Sequence, residues 1–399
     1  MHPPKSPQQS TIIVPIVGTT FFRLVLNTAR RFAYPFAPVL SRGLGVSLSA
    51  ITSLIAVNQV TSLLGALSGP LSDQIGYRKM MIAGMVMLGT GMLAAAFFPF
   101  YAVVLLALFL AGLGKSLFDP AVQAWASSRV PYNRRALVIG LMEISWSAST
   151  LIGIPLVAVL IERYGWRSPF LVMGALGCIG AAALFFIIPK DPKRPHHNIS
   201  PSEYLGAYSR LFSSRPALGA LGYVFFVSAA NDNLFVVYGA WLEKSFGLGI
   251  VALGLGTSLI GAAELAGEGF TAAISDRFGL KHALVAGLSL SVLSYFGLPF
   301  LETSLAAALT GLAVIFFIYE FTLVTSLSLC TEMLPGFRAT MMSGFFATAG
   351  IGRVFGALMG GAVWQTGGIL ATGCISGILT FLGLLCLMRG LKGWDQAGI

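Results

Sequence analysis

The chain has 399 residues, of which 56% are hydrophobic and only 10% carry a charged side chain. Soluble proteins have about a quarter of their residues charged, so this composition excludes a soluble enzyme and a disordered binding protein. The apolar residues form long runs and do not alternate with polar ones, which excludes an outer-membrane β-barrel. The net charge of +10 comes from short basic clusters between these runs, a pattern typical of membrane topology and not of nucleic-acid binding.

The apolar runs predict twelve membrane-spanning helices, because one bilayer crossing needs roughly 20 apolar residues. In chain order they are residues 12–40, 48–71, 79–99, 102–127, 136–161, 168–189, 216–242, 249–274, 282–301, 304–331, 339–364 and 368–389. A long polar connection separates six helices from six. We therefore predict an all-α polytopic membrane protein with an N-terminal six-helix bundle over 1–189, a cytoplasmic linker over 190–215 and a C-terminal six-helix bundle over 216–399.

The two halves also repeat each other in sequence. The segment Ser72-Asp73-x-x-Gly76-x-Arg78 returns as Ser275-Asp276-x-x-Gly279-x-Lys281. Further landmarks return at the same spacing, which is hard to obtain by chance. These pairs are Arg135 and Arg338, Gly153 and Gly356, and Gly165 and Gly368.

Basic residues between the apolar runs predict how the chain crosses the membrane. If both termini and the linker are cytoplasmic, most of these Lys and Arg residues lie on the cytoplasmic side. The opposite side then holds only Arg42, Arg163, Arg167 and Lys244. This asymmetry predicts a multi-pass protein of the cytoplasmic (inner or plasma) membrane with both termini in the cytoplasm.

The loop between the second and third predicted helices reads Gly69-x-Leu71-x-Asp73-x-x-Gly76-x-Arg78-Lys79. It resembles the signature loop of the major facilitator superfamily (MFS), and the copy in the second half is a weaker version of it. Tyr164-Gly165-Trp166-Arg167 resembles another element common in that family. The resemblance implies two six-helix bundles that exchange access to a central site by rocking. It also implies a gating role for Gly69, Asp73, Gly76, Arg78, Lys79, Asp276 and Gly279.

Two features of the family's drug antiporters are missing from this chain. Leu108 stands where those members carry an Arg four residues before a glycine of the fourth helix, here Gly112. In the fifth helix, Gly153-Ile154-Pro155 is one residue out of the pattern of their Gly-Pro-rich motif. Both departures weaken an assignment as a drug/proton antiporter.

Ionisable side chains occur inside the predicted helices, where each costs about 2.5–3.5 kcal/mol at mid-bilayer unless it is paired or hydrated. They either line a polar transport pathway or form structural ion pairs and snorkelling contacts near the membrane surfaces. The residues are Arg23, Arg30, Arg31, Lys115, Asp119, Glu143, Asp232, Glu264, Glu268, Glu320 and Arg353.

The first predicted helix carries a polar stripe. Arg23, Asn27, Arg30 and Tyr34 lie within about 40° of one another, because successive helical residues are separated by about 100°. The stripe predicts a site for an anion or a carboxylate. Arg31 lies about 100° from Arg30, so the two are not expected to face one cavity equally. For Arg23 alone, snorkelling at the cytoplasmic end is an equal alternative.

Other predicted helices add candidates for substrate binding. Lys115 and Asp119, four residues apart on one helix, either bind substrate or neutralise each other. The remaining candidates are polar, charged or aromatic side chains within the predicted spans, namely Glu143, Trp146, Asn231, Asn233, Glu320 and Arg353.

The intramembrane bases concentrate in the first half of the chain and the acids in the second half. Bases would hold an anionic substrate while acids carry protons, since a carboxyl group in an apolar environment can be protonated near neutral pH. The predicted proton-coupling residues are Asp232, which lies between two amides, and Glu264 and Glu268, which lie one turn apart.

These features predict a secondary transporter that moves a small amphipathic or anionic molecule by alternating access, with proton-coupled efflux as the first choice. Uptake of an organic anion or nutrient, lipid flipping and a non-transporting receptor or scaffold are the alternatives. The sequence has no nucleotide-binding loop, catalytic Ser/His/Asp set or metal-ligand spacing, so we predict no enzyme activity, cofactor or metal. The expected partners are a small-molecule substrate, the lipid bilayer and protons or another coupling ion, without nucleic acid, for a monomeric chain.

Overall fold

Long α-helices make up almost all of the described chain. The structure is a computed structural model that describes residues 10–129, 138, 142, 144–190, 211–333 and 338–394. Side chains are described for all of these residues except 10–12, 62–71, 73, 74, 127, 128, 272–278, 331, 332, 338–340 and 343. This part of the chain contains no β-strand.

The N-terminal half contributes the helices α1 to α7. Their bounds are α1 Ser10–Arg31, α2 Ala37–Leu44, α3 Leu48–Ile75, α4 Tyr77–Phe97, α5 Tyr101–Arg129, α6 Ile144–Tyr164 and α7 Ser168–Ile187.

The C-terminal half contributes the helices α8 to α14. Their bounds are α8 Arg215–Phe235, α9 Tyr238–Phe246, α10 Ile250–Phe278, α11 Leu280–Gly297, α12 Leu305–Met333, α13 over 338–366 and α14 over 369–390. The backbone is non-helical at Gly367 and Gly368, which separate α13 from α14.

The number of membrane crossings agrees with the predicted twelve. Nine helical segments of the described residues are long and apolar enough to cross a membrane, or ten if Ala37–Leu44 and Leu48–Thr61 form one bent span. The last of the nine, Gly344–Gly390, has 47 residues and contains the break between α13 and α14, so it is long enough for two crossings of about 30 Å. Helix α1 has 22 residues, enough for one more crossing, although it carries three arginines.

Two predicted helices are interrupted at equivalent places in the two halves. The predicted helix 12–40 breaks over 32–36, where Pro35 cannot continue a regular helix, and α2 begins after it. The predicted helix 216–242 breaks at 236–237, between α8 and α9, and nothing in the local sequence explains that break. Helix α6 contains a π-helical turn, Ser149–Gly153, shortly before Pro155, which accommodates the proline without ending the helix.

The sequence repeat is also a structural repeat. Gly76 and Gly279, at the α3–α4 and α10–α11 turns, have φ values of 103° and 77°. Gly165 and Gly368, at the α6–α7 and α13–α14 turns, have φ values of 85° and 57°. Because an L side chain is strained at such φ, each half needs glycine at these corresponding turns.

The turns define two ends of the molecule. We call the end with the turns at Gly76 and Gly279 the loop end, and the end with the turns at Gly45 and Gly247 the closed end. The two halves pack together toward the closed end, where a Cβ on Gly239 of α9 would lie 2.2 Å from the carbonyl oxygen of Pro35.

Further contacts join the halves at the closed end. Arg42 of α2 and Glu243 of α9 form an ion pair of 2.6 Å. Gln365 Nε2 of α13 donates a hydrogen bond of 2.8 Å to Ser49 Oγ of α3. Ser258 Oγ of α10 donates one of 3.0 Å to the carbonyl oxygen of Leu151. These contacts seal one side of the space between the halves.

Candidate functional site

A cavity of about 780 Å³ lies between the two halves. It extends from the middle of the helices toward the loop end, where its apolar wall is formed by α12 and α13. That wall contains Leu323, Val324, Leu327 and Phe346. The deeper part of the cavity is polar and receives side chains from both halves.

The charges that line the cavity are balanced. As many basic as acidic side chains line it among the residues that the structure describes. The bases are Arg23, Arg30, Arg31, Lys115 and Arg353, and the acids are Asp119, Asp232, Glu264, Glu268 and Glu320.

The first charged group lies within the N-terminal half. Arg23 Nε lies 3.0 Å from Asp119 Oδ1, and Arg23 Nη1 donates a 3.0 Å hydrogen bond to the carbonyl oxygen of Met142. Lys115 Nζ pairs with the other oxygen of Asp119. The predicted pairing of Lys115 with Asp119 is therefore present, and Arg23, which is buried, shares the same carboxylate.

A second group connects the halves through a chain of hydrogen bonds. Arg30 Nη2 donates to Gln59 Oε1, and Gln59 Nε2 donates to the Tyr34 hydroxyl. The Tyr34 hydroxyl in turn donates to Asp232 Oδ1 at 2.8 Å. Helices α1, α3 and α8 are thus joined at the level of the cavity.

Arg31 makes the third group. Its Nη2 lies 2.6 Å from Glu264 Oε1 of α10, and its guanidinium lies 4.4 Å from the centre of the Trp146 ring. Thr150 Oγ1 donates a longer hydrogen bond of 3.5 Å to the other Glu264 oxygen. Arg30 and Arg31 contact different helices, and both line the cavity although their angular separation predicts that they do not face it equally.

Arg30 and Arg353 face the cavity from opposite halves. Neither forms an ion pair within 4.0 Å to any carboxylate among the described side chains. Arg353 is also the charged residue that acts most strongly on Arg30. Two guanidiniums that repel each other across a cavity are an arrangement that a bidentate anion, such as a carboxylate or a phosphate, would neutralise.

Only some of the other predicted substrate-binding residues line the cavity in the described part of the chain. Trp146, Asn231 and Glu320 line the cavity, together with the charged residues described above. Asn27 instead donates a 3.3 Å hydrogen bond to Ser145 Oγ within the N-terminal half. Asn233 packs inside the C-terminal half, where its Nδ2 donates to Ser376 Oγ at 3.0 Å. Glu143 lies outside the described residues.

The predicted gating loop is described only in part. Gly76 and Gly279 form the two turns with positive φ. Arg78 donates a hydrogen bond to the carbonyl oxygen of Phe185 and lies 4.5 Å from the centre of that ring, while Lys79 is exposed. Gly69 lies within α3, and the side chains of Asp73 and Asp276 lie outside the described parts.

Gln59 is a cavity residue that the sequence interpretation missed. It connects Arg30 to Tyr34 and is almost completely buried. The available signal was the polar pair Asn58-Gln59 inside the apolar second helix, because buried amides need hydrogen-bond partners.

Comparisons with known proteins agree with this architecture. A family profile of the Major Facilitator Superfamily matches residues 19–335 and 221–393. An uncharacterized MFS-type transporter of Bacillus subtilis, YceJ, is 23% identical over 345 residues, which cover 86% of this chain and 87% of that protein. A Lactococcus lactis homolog of the multi-drug resistance efflux pump PmrA is 25% identical over 283 residues, which cover 68% of each protein.

A solved structure has the same fold. The bacterial homolog of the human lysosomal transporter Spinster, in an inward-facing and unoccupied conformation, matches with a TM-score of 0.81 at 14% identity. The match covers 98% of this chain and 100% of that one. This chain is therefore a multi-pass membrane transport protein that belongs to the Major Facilitator Superfamily, a family of transporters and not of enzymes.

Proposed function

We propose that this transporter moves a small organic anion together with a proton through the cavity between its halves. The observation that carries the proposal is the pair Arg30 and Arg353, which have no carboxylate ion-pair partner among the described side chains. A carboxylate or phosphate between the two guanidiniums would receive charge-assisted hydrogen bonds from both. Because the arginines belong to different halves, the bound anion would link the parts that rock during alternating access.

The cavity also suits an apolar part of the substrate. Its volume of about 780 Å³ lies within the range of small-molecule sites. Next to the charged region, Leu323, Leu327 and Phe346 offer an apolar wall toward the loop end. The proposed substrate is therefore amphipathic, with its anionic group at the arginines and its hydrocarbon part on this wall.

The charge balance of the cavity supports coupling to a proton. Since the described basic and acidic side chains are equal in number, an anion that enters alone leaves one uncompensated negative charge. Uncompensated charge is costly away from bulk water, so protonation of one carboxylate favours anion binding, and anion binding favours protonation to the same extent. The sequence predicts Asp232, Glu264 or Glu268 as the acid that takes up this proton.

The direction of transport follows from this coupling. An anion and a proton that bind together also cross together, so an inward proton gradient drives uptake. We propose that the loop end faces the cytoplasm, as the basic residues of the connections predict.

Proton-coupled efflux is the second candidate. It is the direction that the sequence interpretation favours, and the similarity to the Lactococcus lactis efflux pump homolog supports it. Efflux against an inward proton gradient requires exchange, so that the anion and the proton compete for the protein. The sign of the proton movement on anion binding distinguishes the two candidates.

Thermal unfolding of the purified protein tests the anion site. Sulfate, fumarate and benzoate are added separately, with benzamide as the neutral counterpart of benzoate. We expect at least one anion to raise the melting temperature, because a ligand that binds only the folded state stabilises it. Arg353→Gln should weaken that anion's apparent affinity by about tenfold or more, since a charge-assisted hydrogen bond contributes about 1.5–3 kcal/mol.

The matched control is Arg163→Gln, because Arg163 is exposed and lies away from the cavity. It removes the same positive charge and should leave the anion response unchanged. Equal weakening by the two substitutions would mean that the anions act through net charge, and the proposed site would be abandoned.

A further inference from the structure

Three glutamates come together where α10 packs against α12. Glu264 and Glu268 flank Gly267 on α10, and a Cβ on Gly267 would lie 2.5 Å from the carbonyl oxygen of Phe317 and 3.2 Å from Glu320 Cβ. Only glycine permits this approach of the two helices. Because Gly267 has no side chain, the two helices approach closely here. The carboxyl groups of Glu320, Glu264 and Glu268 therefore come near one another, and all three residues line the cavity.

Two of these glutamates have partners in the opposite half. Glu264 pairs with Arg31 at 2.6 Å. Glu268 accepts a hydrogen bond of 3.4 Å from Ser147 Oγ. Both contacts cross from α10 to the N-terminal half, so they depend on the relative position of the halves.

Glu320 differs from both neighbours. It is only 6% exposed, and it forms no hydrogen bond or ion pair with any described residue. The charged groups around it include the carboxylates of Glu264 and Glu268 as well as the guanidiniums of Arg31 and Arg353. A buried carboxylate in this setting is destabilised by desolvation and by like charges, and one proton relieves both.

We propose that Glu320 is the residue that carries the proton, within a three-carboxylate cluster with Glu264 and Glu268. This inference rests on the proton coupling proposed above and replaces Asp232 as the expected carrier. Asp232 accepts the Tyr34 hydrogen bond at 2.8 Å, a stabilising contact that Glu320 lacks among the described residues. Glu320 takes up a proton from water on one side and returns it to water on the other.

Arg31 gives the cluster its dependence on conformation. Among the described residues, the charged groups that act most strongly on Glu320 are Glu264 and Glu268 on α10, Arg31 on α1 and Arg353 on α13, while Tyr319 precedes it on α12. Of these described groups, Arg31 alone comes from the N-terminal half. When the halves rock, the distance from Arg31 to the cluster changes, and so does the cost of a negative charge on Glu320.

A second observation supports this role for Arg31. Its Nη1 atom is buried and has no hydrogen-bond partner among the described residues, although its Nη2 atom pairs with Glu264. Leaving a buried charged donor unsatisfied is unfavourable, so Arg31 has a donor free for another carboxylate when the cluster is ionised. The arrangement therefore favours release of the proton while the closed end is sealed.

Infrared difference spectroscopy tests the assignment without any substrate. Purified protein in lipid nanodiscs is compared between mildly acidic and alkaline buffer, and the carbonyl stretch of a protonated, buried carboxyl group is recorded. We expect one such band in the wild-type protein. Glu320→Gln should abolish it, and Glu320→Asp, which restores a carboxyl group at this position, should return it at a changed frequency.

Glu268→Gln and Asp232→Asn are the matched variants, because each removes one other cavity carboxylate. Both should retain a band, and Glu268→Gln should need a more acidic buffer to form it, because this variant removes a like charge near Glu320. Loss of the band in either of them, together with its persistence in Glu320→Gln, would overturn the assignment. The anion response of the melting temperature is measured on the same samples, so failure of the anion site and failure of the proton site are seen separately.

Discussion

The N-terminal half forms one wall of the cavity, which we call the N-terminal wall, and the C-terminal half forms the C-terminal wall. On the N-terminal wall the cations have partners: Arg23 and Lys115 share Asp119, and Arg30 donates to Gln59. On the C-terminal wall, Glu320 and Arg353 have no ion pair to a described residue. The two walls come from halves that share the same helix order. Repetition has thus preserved the turns, whereas the charges differ between the walls.

The difference indicates that the two walls of the cavity have different roles. The N-terminal wall holds its cations in fixed positions, which suits the recognition of an anion by a preorganised site. The C-terminal wall keeps one acid and one base available for a ligand and a proton. The contacts from Arg31 to Glu264 and from Tyr34 to Asp232 are where the two walls act on each other.

The largest expected effect comes from removing the contact between Arg31 and Glu264. Glu264→Gln leaves the buried guanidinium without its carboxylate, so we expect the free energy of unfolding to fall by about 3 kcal/mol, as for other broken buried ion pairs. Chemical denaturation in mixed micelles measures this change. The double variant Arg31→Gln with Glu264→Gln should recover part of the loss, and exposed Glu162→Gln should have no effect. No difference between Glu264→Gln and Glu162→Gln would show that the pair contributes nothing.

The next effect separates the two adjacent arginines of α1. Arg30→Ala should weaken the binding of a stabilising anion by about tenfold or more, because it removes a charged donor from the proposed site. Arg31→Ala should weaken it much less, since the charge of Arg31 is already compensated by Glu264. Arg30→Lys should recover only part of the affinity, because lysine lacks the bidentate fork of arginine. Titration of the melting temperature with the anion measures all three, and equal losses in the two alanine variants would refute the distinction.

A smaller effect of the opposite sign is expected at Asp232. Asp232→Asn retains an acceptor for the Tyr34 hydroxyl but removes a negative charge near both arginines of the proposed site. Anion affinity should rise by about fivefold, which corresponds to about 1 kcal/mol of electrostatic repulsion removed. The same anion titration provides the measurement, with Asp232→Ala as the variant that also removes the acceptor. A lower anion affinity in Asp232→Asn would mean that the anion does not bind near Asp232.

The smallest effect concerns the closed end. Arg42 and Glu243 form an exposed ion pair, and such pairs contribute about 0–1 kcal/mol. Arg42→Gln should therefore leave the free energy of unfolding almost unchanged and make it less sensitive to salt. A loss as large as that of Glu264→Gln would mean that the closed end, and not the cavity, holds the halves together.

Much of the fold could be predicted from the sequence, because bilayer thickness fixes the length of apolar runs and the repeat fixes their grouping. The break at Pro35 was also available as a local signal. The break at 236–237 was not, since no proline or glycine stands there.

The site was less predictable. The angular spacing of Arg30 and Arg31 separates the directions of their side chains, because it depends on one helix alone, but it did not predict that both line the cavity. That Glu320 has no partner among the described residues depends on how α10, α12 and α13 pack together, which no pattern within α12 contains. Gly267 illustrates the same limit, because its role is the approach of a different helix.

Proton movement on anion binding tests the central claim most directly. An anion that stabilises the protein is added to the wild-type protein in weakly buffered solution, and the change in pH is recorded. We predict that the wild-type protein takes up protons as the anion binds, and that Glu320→Gln binds the anion without this uptake. Proton release on binding would indicate exchange and favour efflux. Absence of any proton movement in the wild-type protein, at an anion concentration that stabilises it, would contradict proton-coupled transport through this cavity.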